Sequence, residues 1–127
     1  MKIKDCELIE VLSCEKDENI VKIAKSLRDK KQRHIIVTDS GKPVGIISTT
    51  DINNRLVAEN KNPEKTKAKD IMTKDILVKD IEEPLTQAYI EMIKKNIFSC
   101  PITQKEKLKG TLELKEAMKN LAKLNLK

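Results

Sequence analysis

Slid along itself by 65 residues, this chain falls into register with itself without a gap. Lys4-Asp5 lies over Lys69-Asp70, Val11-Leu12 over Ile76-Leu77, Ile20 over Leu85 and Leu27 over Met92. The register holds through Lys30 over Lys95, Val37 over Ile102, Gly45 over Gly110, Asp51 over Glu116 and Leu56 over Leu121. Self-similarity at a fixed period marks one supersecondary unit used more than once. Two copies, 1–62 and 63–127, joined near 59–63, account for all 127 residues.

Each copy carries the same pattern. Ile20, Ile23, Ala24 and Leu27 stand at i, i+3, i+4 and i+7, one face of a helix, with Lys22, Lys25 and Arg28 opposite. Asp17-Glu18 favours that helix's N-terminus. The runs 34–38 and 44–48 read as buried strands around a turn at 39–42, and a closing helix carries Ile52 and Leu56. In the second copy Pro84 fits a first helical position, ahead of a stripe of Leu85, Ala88, Tyr89 and Met92. The runs 97–103 and 108–112 are its strands, and Leu114, Ala117, Met118 and Leu121 line its last helix. The fold class is mixed α/β (α+β), a β-α-β-β-α plan occurring twice.

Composition narrows the functions open to such a chain. Tyr89 and Phe98 are its aromatics, too few for the stacking platforms of single-stranded nucleic-acid binding. The net charge of +6 comes almost wholly from lysine, arginine being confined to Arg28, Arg33 and Arg55. Bidentate recognition of bases and phosphates prefers arginine, so the excess reads as a solubilising coat with a weak attraction for anions. Cys6, Cys14 and Cys100 form no C-x-x-C pair, and His34 completes no zinc spacing with them. Reduced thiols and the absence of an apolar leader in MKIKDCELIE imply a cytoplasmic protein. The longest stretch without acidic or basic side chains, 96–104, is far short of the roughly 20 residues that span a bilayer. No nucleophile elbow, P-loop or H-E-x-x-H motif occurs, so no enzymatic activity is expected.

Two short runs carry a family resemblance. Pro43-Val44-Gly45-Ile46-Ile47-Ser48-Thr49-Thr50-Asp51-Ile52 resembles the closing signature of a cystathionine β-synthase (CBS) domain, and Lys69-Asp70-Ile71-Met72-Thr73 resembles the opening one. The resemblance extends over the whole chain. It implies a tandem, pseudo-twofold pair of CBS repeats (a Bateman module) with a regulatory role. It implies clefts between the repeats for adenosine-containing ligands (AMP, ADP, ATP or S-adenosylmethionine), with no required cofactor or metal. It also implies a homodimer and a regulated protein partner. The apolar helix faces of so small a double repeat point to dimerisation as well, and regulation needs mobile loops, for which 53–69 is the candidate.

Ser48-x-x-Asp51 has two readings. It is the spacing of a helix capping box. Within the family signature it is also a ribose site: Asp51 accepts from the vicinal hydroxyls, Ser48 adds a third bond and Thr50 a hydroxyl for a phosphate. The strand-to-helix turn adds backbone N–H groups and a helix dipole for an anion. Arg33 and His34, just before the first hairpin strand, reach toward the phosphates in modules that resemble this one. His34 is otherwise a partly buried strand-end residue. Ile47, Ile76, Leu77, Ile97 and Phe98 are the candidate apolar walls for the base, with core packing the other fate of Phe98.

The second copy departs from the signature, Glu113 and Glu116 standing where the first has Ser48 and Asp51. A second carboxylate repels phosphate at short range, so this site is expected to be weak, empty or selective for the sulfonium of S-adenosylmethionine. The competing function is a protein- or nucleic-acid-interaction module with a vestigial site. Its support is the lysines at 61, 65, 67 and 69 and those at 115, 119, 123 and 127.

Overall fold

In a computed structural model, which describes residues 1–125, the chain forms two compact units. One is 11–76; the other combines 1–10 with 77–127. Lys127, one of the tail lysines noted above, lies outside the described residues.

The first unit is a three-stranded sheet with helices. It contains β1 (Ser13–Glu15), α1 (Ile20–Lys30), β2 (His34–Asp39), β3 (Lys42–Ser48), α2 (Thr49–Asp51), a π-helix (Ile52–Val57), a 3₁₀ turn (Pro63–Lys65) and α3 (Ala68–Ile71). β1 pairs parallel with β2, and β2 antiparallel with β3. The apolar stripe of α1 does what its spacing predicts: Ile20, Ile23 and Leu27 are buried with Ile35, Val37, Ile47 and Ile71 in one core. Each such side chain contributes about 1.5–3 kcal/mol by leaving water. The helix starts at Asn19, whose side chain accepts from the Val21 N–H at 2.9 Å, rather than through Asp17-Glu18. The closing helix is irregular, three α residues passing into a wider π turn, so little aligned dipole builds up at its start.

The second unit repeats this with β4 (Lys79–Asp80), α4 (Leu85–Lys94), β5 (Ser99–Gln104), β6 (Lys107–Glu113) and α5 (Leu114–Asn125). Its core joins Leu85, Ala88, Met92, Cys100, Ile102, Leu112 and Ala117 to Ile3. The internal register survives to single residues. His34 opposes Ser48 as Ser99 opposes Glu113, Val37 opposes Gly45 as Ile102 opposes Gly110, and each hairpin has a register shift just after those central pairs. Both two-residue hairpin turns have positive φ at both positions, at Ser40-Gly41 and Lys105-Glu106, as the twist of a tight hairpin requires. Two expectations shift. Pro84 is the N-cap with Leu85 the first helical residue, because an extended residue must lead into the helix. Met118 does not line the core but is 50% exposed, Ala117 having taken the inward position.

The compact units do not coincide with the sequence copies 1–62 and 63–127, because the opening segments are exchanged. Ala68 and Ile71 from the start of the second copy are buried in the first unit, where Ile20 N–H bonds to the Thr66 carbonyl at 2.9 Å. Ile3, from the start of the first copy, is buried in the second unit, where Leu85 N–H bonds to the Met1 carbonyl at 3.0 Å. The segment 53–69, expected as a mobile loop, is therefore largely built in. It runs through the π-helix, the 3₁₀ turn and buried Thr66 and Ala68, pinned by bonds such as Ala68 N–H to the Glu18 carbonyl at 2.9 Å.

Candidate functional site

The end of β3 delivers Ser48, and the turn that follows delivers Thr50 and Asp51. Ser48 and Asp51 form the capping box in full: Asp51 N–H donates to Ser48 Oγ at 3.0 Å, and Ser48 N–H donates to Asp51 Oδ2 at 2.8 Å. The box fixes the carboxylate without consuming it. Oδ1 faces the Arg55 guanidinium, with Nε 3.8 Å away, and the Asp51 side chain is 17% exposed. A hydroxyl-bearing ligand would meet an oriented, charged acceptor there. Capping and ligand contact are thus compatible functions of one residue.

Beside it, His34 is the strand partner of Ser48, and the Arg33 carbonyl accepts from Thr49 N–H at 3.0 Å. The side chains of Arg33, His34 and Thr50 are exposed, which sets aside the partly buried reading of His34. Ile47 is different: it is fully enclosed in the core and presents no wall to a ligand. The pleat puts Pro43, Gly45 and Ile47 on the buried face and leaves Val44, Ile46 and Ser48 half-exposed. Ile46, one residue away, is therefore the apolar side chain on Ser48's face. It is bridged in both directions to Thr73, through N···O distances of 3.0 and 2.9 Å. Gly45 lets this segment approach: a Cβ there would lie 2.6 Å from Met72 Sδ and 2.9 Å from the Thr73 carbonyl oxygen.

Of the remaining candidates, Ile76 is half-buried at the end of the first unit. Leu77, Ile97 and Phe98 belong to the second unit. There Leu77 and Ile97 pack against the core, whereas Phe98 is 70% exposed, not packed within. Phe98 is the positional counterpart of Arg33, its carbonyl accepting from Leu114 N–H at 2.8 Å.

The second repeat uses its carboxylates differently. Glu116 Oε2 accepts from Glu7 N–H at 3.0 Å and from the Asn120 amide at 2.6 Å. Those bonds hold the Glu116 carboxyl below its ordinary range, the Glu7 N–H being the largest cause. Glu7, Ile9, Glu113, Lys115, Glu116 and Lys119 line a cavity of about 390 Å³. It is concave and carries three carboxylates against two ammonium groups.

Of the three thiols, Cys6 precedes Glu7 and is close enough to Glu116 for that carboxylate to add to its upward shift. Burial pushes Cys100 and Cys14 up to about 12 and Cys6 up to about 11. Among the described residues no group of three or more His, Cys, Asp or Glu side chains is arranged to hold a metal ion, and no helix is long and apolar enough to cross a membrane.

Arg55, Ile46, Met72 and Thr73 were not among the site residues read from the sequence, although Ile46, Met72 and Thr73 stand within the two signature runs. Arg55 had a legible signal, its i+4 spacing from Asp51. The other three come together where the exchanged segment meets β3, a pairing between two signature runs that neither run announces by itself.

A repeated sheet-and-helix unit with an oriented carboxylate at the same strand-to-helix turn defines a tandem small-domain module. The chain belongs to the CBS domain family, whose sequence profile matches residues 3–58 and 68–123. A protein of Methanopyrus kandleri is 27% identical over 111 residues, covering 86% of this chain; the chain spans 57% of that relative's length. The solved CBS domain pair of the protein MJ0100, in complex with 5′-methylthioadenosine and S-adenosyl-L-methionine, is 25% identical with a TM-score of 0.69 over 98% of each chain. Hypoxic Response Protein I, solved with two coordinated zinc ions, shares the fold at a TM-score of 0.80 with 14% identity, over 94% of this chain and 98% of that one.

Proposed function

We propose that this CBS pair is a ligand-sensing regulatory module that binds an adenosine-containing compound, with Asp51 as the acceptor for the ribose hydroxyls. The observation that carries this reading is the split use of the Asp51 carboxylate: Oδ2 is held by the capping box, and Oδ1 is oriented toward Arg55 at low exposure. Arg33, exposed at the neighbouring strand end, supplies a permanent charge for a phosphate. The 25% identical MJ0100 pair, solved with two adenosine compounds, supports the ligand class.

A second reading concerns the second repeat. Its cavity, bordered by Glu7, Glu113 and Glu116, suits the sulfonium of S-adenosylmethionine better than a phosphate. Calorimetry with AMP, ADP, ATP, 5′-methylthioadenosine and S-adenosylmethionine separates these readings. Under the first, Asp51→Ala weakens nucleotide binding roughly ten- to a hundredfold, the effect of losing one or two charge-assisted hydrogen bonds, and Glu116→Ala does little. Under the second, the preference runs to S-adenosylmethionine and Glu113→Gln weakens it. If no adenosine compound binds below millimolar concentration, the protein- or nucleic-acid-interaction alternative replaces both. A salt-dependent gel shift then tests its nucleic-acid branch.

A further inference from the structure

Arg55 faces two segments at once. Its Nε lies 3.8 Å from Asp51 Oδ1, while its Nη1 donates to the carbonyls of Ile71 and Met72, each at 3.1 Å. Those carbonyls sit at the end of α3, in the segment by which the chain leaves the first unit at Ile76. A guanidinium can serve both because its donors diverge in one rigid plane. The π-helix that carries Arg55 supplies the setting, a wider turn than the α-helix of the second repeat.

The second repeat lacks this intermediary. Asn120 stands at the corresponding position and bonds to Glu116 itself, at Oε2 and at the carbonyl 2.8 Å away. Glu116 then grips the exchanged segment directly through Glu7 N–H. One repeat holds its incoming segment by a carboxylate to an N–H, the other by a cation to two carbonyls.

We propose that Arg55 is a coupling residue: a ligand hydroxyl taken by Asp51 tightens the hold of Arg55 on Ile71 and Met72, and so passes occupancy to the segment through which the chain leaves this unit. The proposal rests on Asp51 being the ligand's acceptor. A hydroxyl on Oδ1 displaces water from the vicinity of the already fixed carboxylate, and the attraction between Asp51 and Arg55 rises as the local dielectric falls. A guanidinium held from one side presents Nη1 to the two carbonyls for more of the time. By linkage, the factor by which the ligand suppresses opening of the segment is the factor by which loosening the segment weakens the ligand.

The readout is amide hydrogen exchange at Thr73, whose N–H bonds to the Ile46 carbonyl at 2.9 Å, with the amide of core residue Val37 as the control for global stability. Wild type, Arg55→Gln and Asp51→Asn are compared without ligand and, after calorimetry on each, with AMP or S-adenosylmethionine at a saturating concentration. Without ligand, both variants exchange faster at Thr73, by threefold or more, with Val37 unchanged. With ligand, wild type slows at Thr73 by threefold or more, and Arg55→Gln still binds but loses that slowing. A purely structural Arg55 would instead leave the ligand's slowing factor intact in Arg55→Gln, and this overturns the proposal. Ligand binding without any change at Thr73 overturns it alone, leaving the site reading standing. Failure of all five adenosine compounds of the calorimetry panel to bind wild type overturns the site reading and the coupling together.

Discussion

Replacing Gly45 by alanine should destabilise the protein, and more than the same change at Gly110. Gly45 lies in the middle of β3 opposite Val37, and an added Cβ would lie 2.6 Å from Met72 Sδ, 2.9 Å from Met72 Cγ and 2.9 Å from the Thr73 carbonyl oxygen. The Met72 side chain can rotate away, but the Thr73 oxygen is backbone, locked by its bond to Ile46 N–H at 3.0 Å. Forcing a methyl into such a contact costs about 1–3 kcal/mol. Against this, alanine restricts the unfolded chain and returns about 0.4–1 kcal/mol. The two ranges leave a net loss of about 0–2.6 kcal/mol, centred near 1.3 kcal/mol, which at its centre is a fall in melting temperature of roughly 5 °C for a domain of this size. At Gly110 the nearest atoms are the Ile9 carbonyl oxygen at 3.0 Å and Leu8 Cβ at 3.2 Å, a milder crowding that a shift of a few tenths of an ångström relieves. Thermal unfolding followed by circular dichroism, with urea midpoints beside it, measures both variants. A Gly45→Ala protein as stable as wild type, or a Gly110→Ala protein that loses more, would refute the inference that the exchanged segment is seated through Gly45.

Other expectations follow from single features. Because burial raises all three thiols from 9.0, to about 11 for Cys6 and about 12 for Cys14 and Cys100, the unfolded chain loses protons first on going alkaline. Stability should therefore hold below pH 9 and fall as pH rises toward 11, with a shallower fall in Cys100→Ala; an unchanged slope in that variant counts against it. Native labelling of Cys100 by a thiol reagent at pH 7.5 should be slow compared with the unfolded chain, and equal rates would contradict its burial. Lys79, with its side chain 13% exposed, is paired with Glu91 and stands 3.5 Å from Glu83. Glu91→Ala should cost about 1–3 kcal/mol by leaving that ammonium short of a partner, whereas the joint change Lys79→Met with Glu91→Leu should cost less; equal losses in urea titration would sink this. Glu106 holds a φ of 67° where the first repeat has Gly41, so Glu106→Gly should raise the melting temperature slightly, and a fall would show that the turn is unstrained. Ile93 and Met118 are 49% and 50% exposed on α4 and α5, so the chain should self-associate; a concentration-independent mass of 14.5 kDa in light scattering removes that expectation.

The repeat, the order of elements and the buried stripes were legible because each is local. A helix face at i, i+3, i+4 and i+7 buries the same side chains whatever lies opposite, and Ile20, Ile23 and Leu27 do so. A two-residue turn between alternating runs fixes a hairpin register, and 65 residues later the second hairpin repeats it, shift included. Ser48-x-x-Asp51 was also local, and both halves of its capping box are made. What the sequence left open is the use of each carboxylate, because the repeat position by itself does not say whether a neighbour at i+4 or a group remote in the chain takes it. Asp51 and Glu116 occupy one position of the repeat, yet one faces Arg55 and the other is taken by Glu7, 109 residues away. The pleat turns Ile47 into the core and leaves Ile46 half-exposed on the face of Ser48, a choice of face that tertiary packing makes. The exchange of opening segments was decided by tertiary structure alone. A short segment such as Ala68–Ile71 presents the same apolar side chains to either sheet, and only backbone bonds to residues far along the chain, at Glu18, Ile20 and Ile46, select the one it joins.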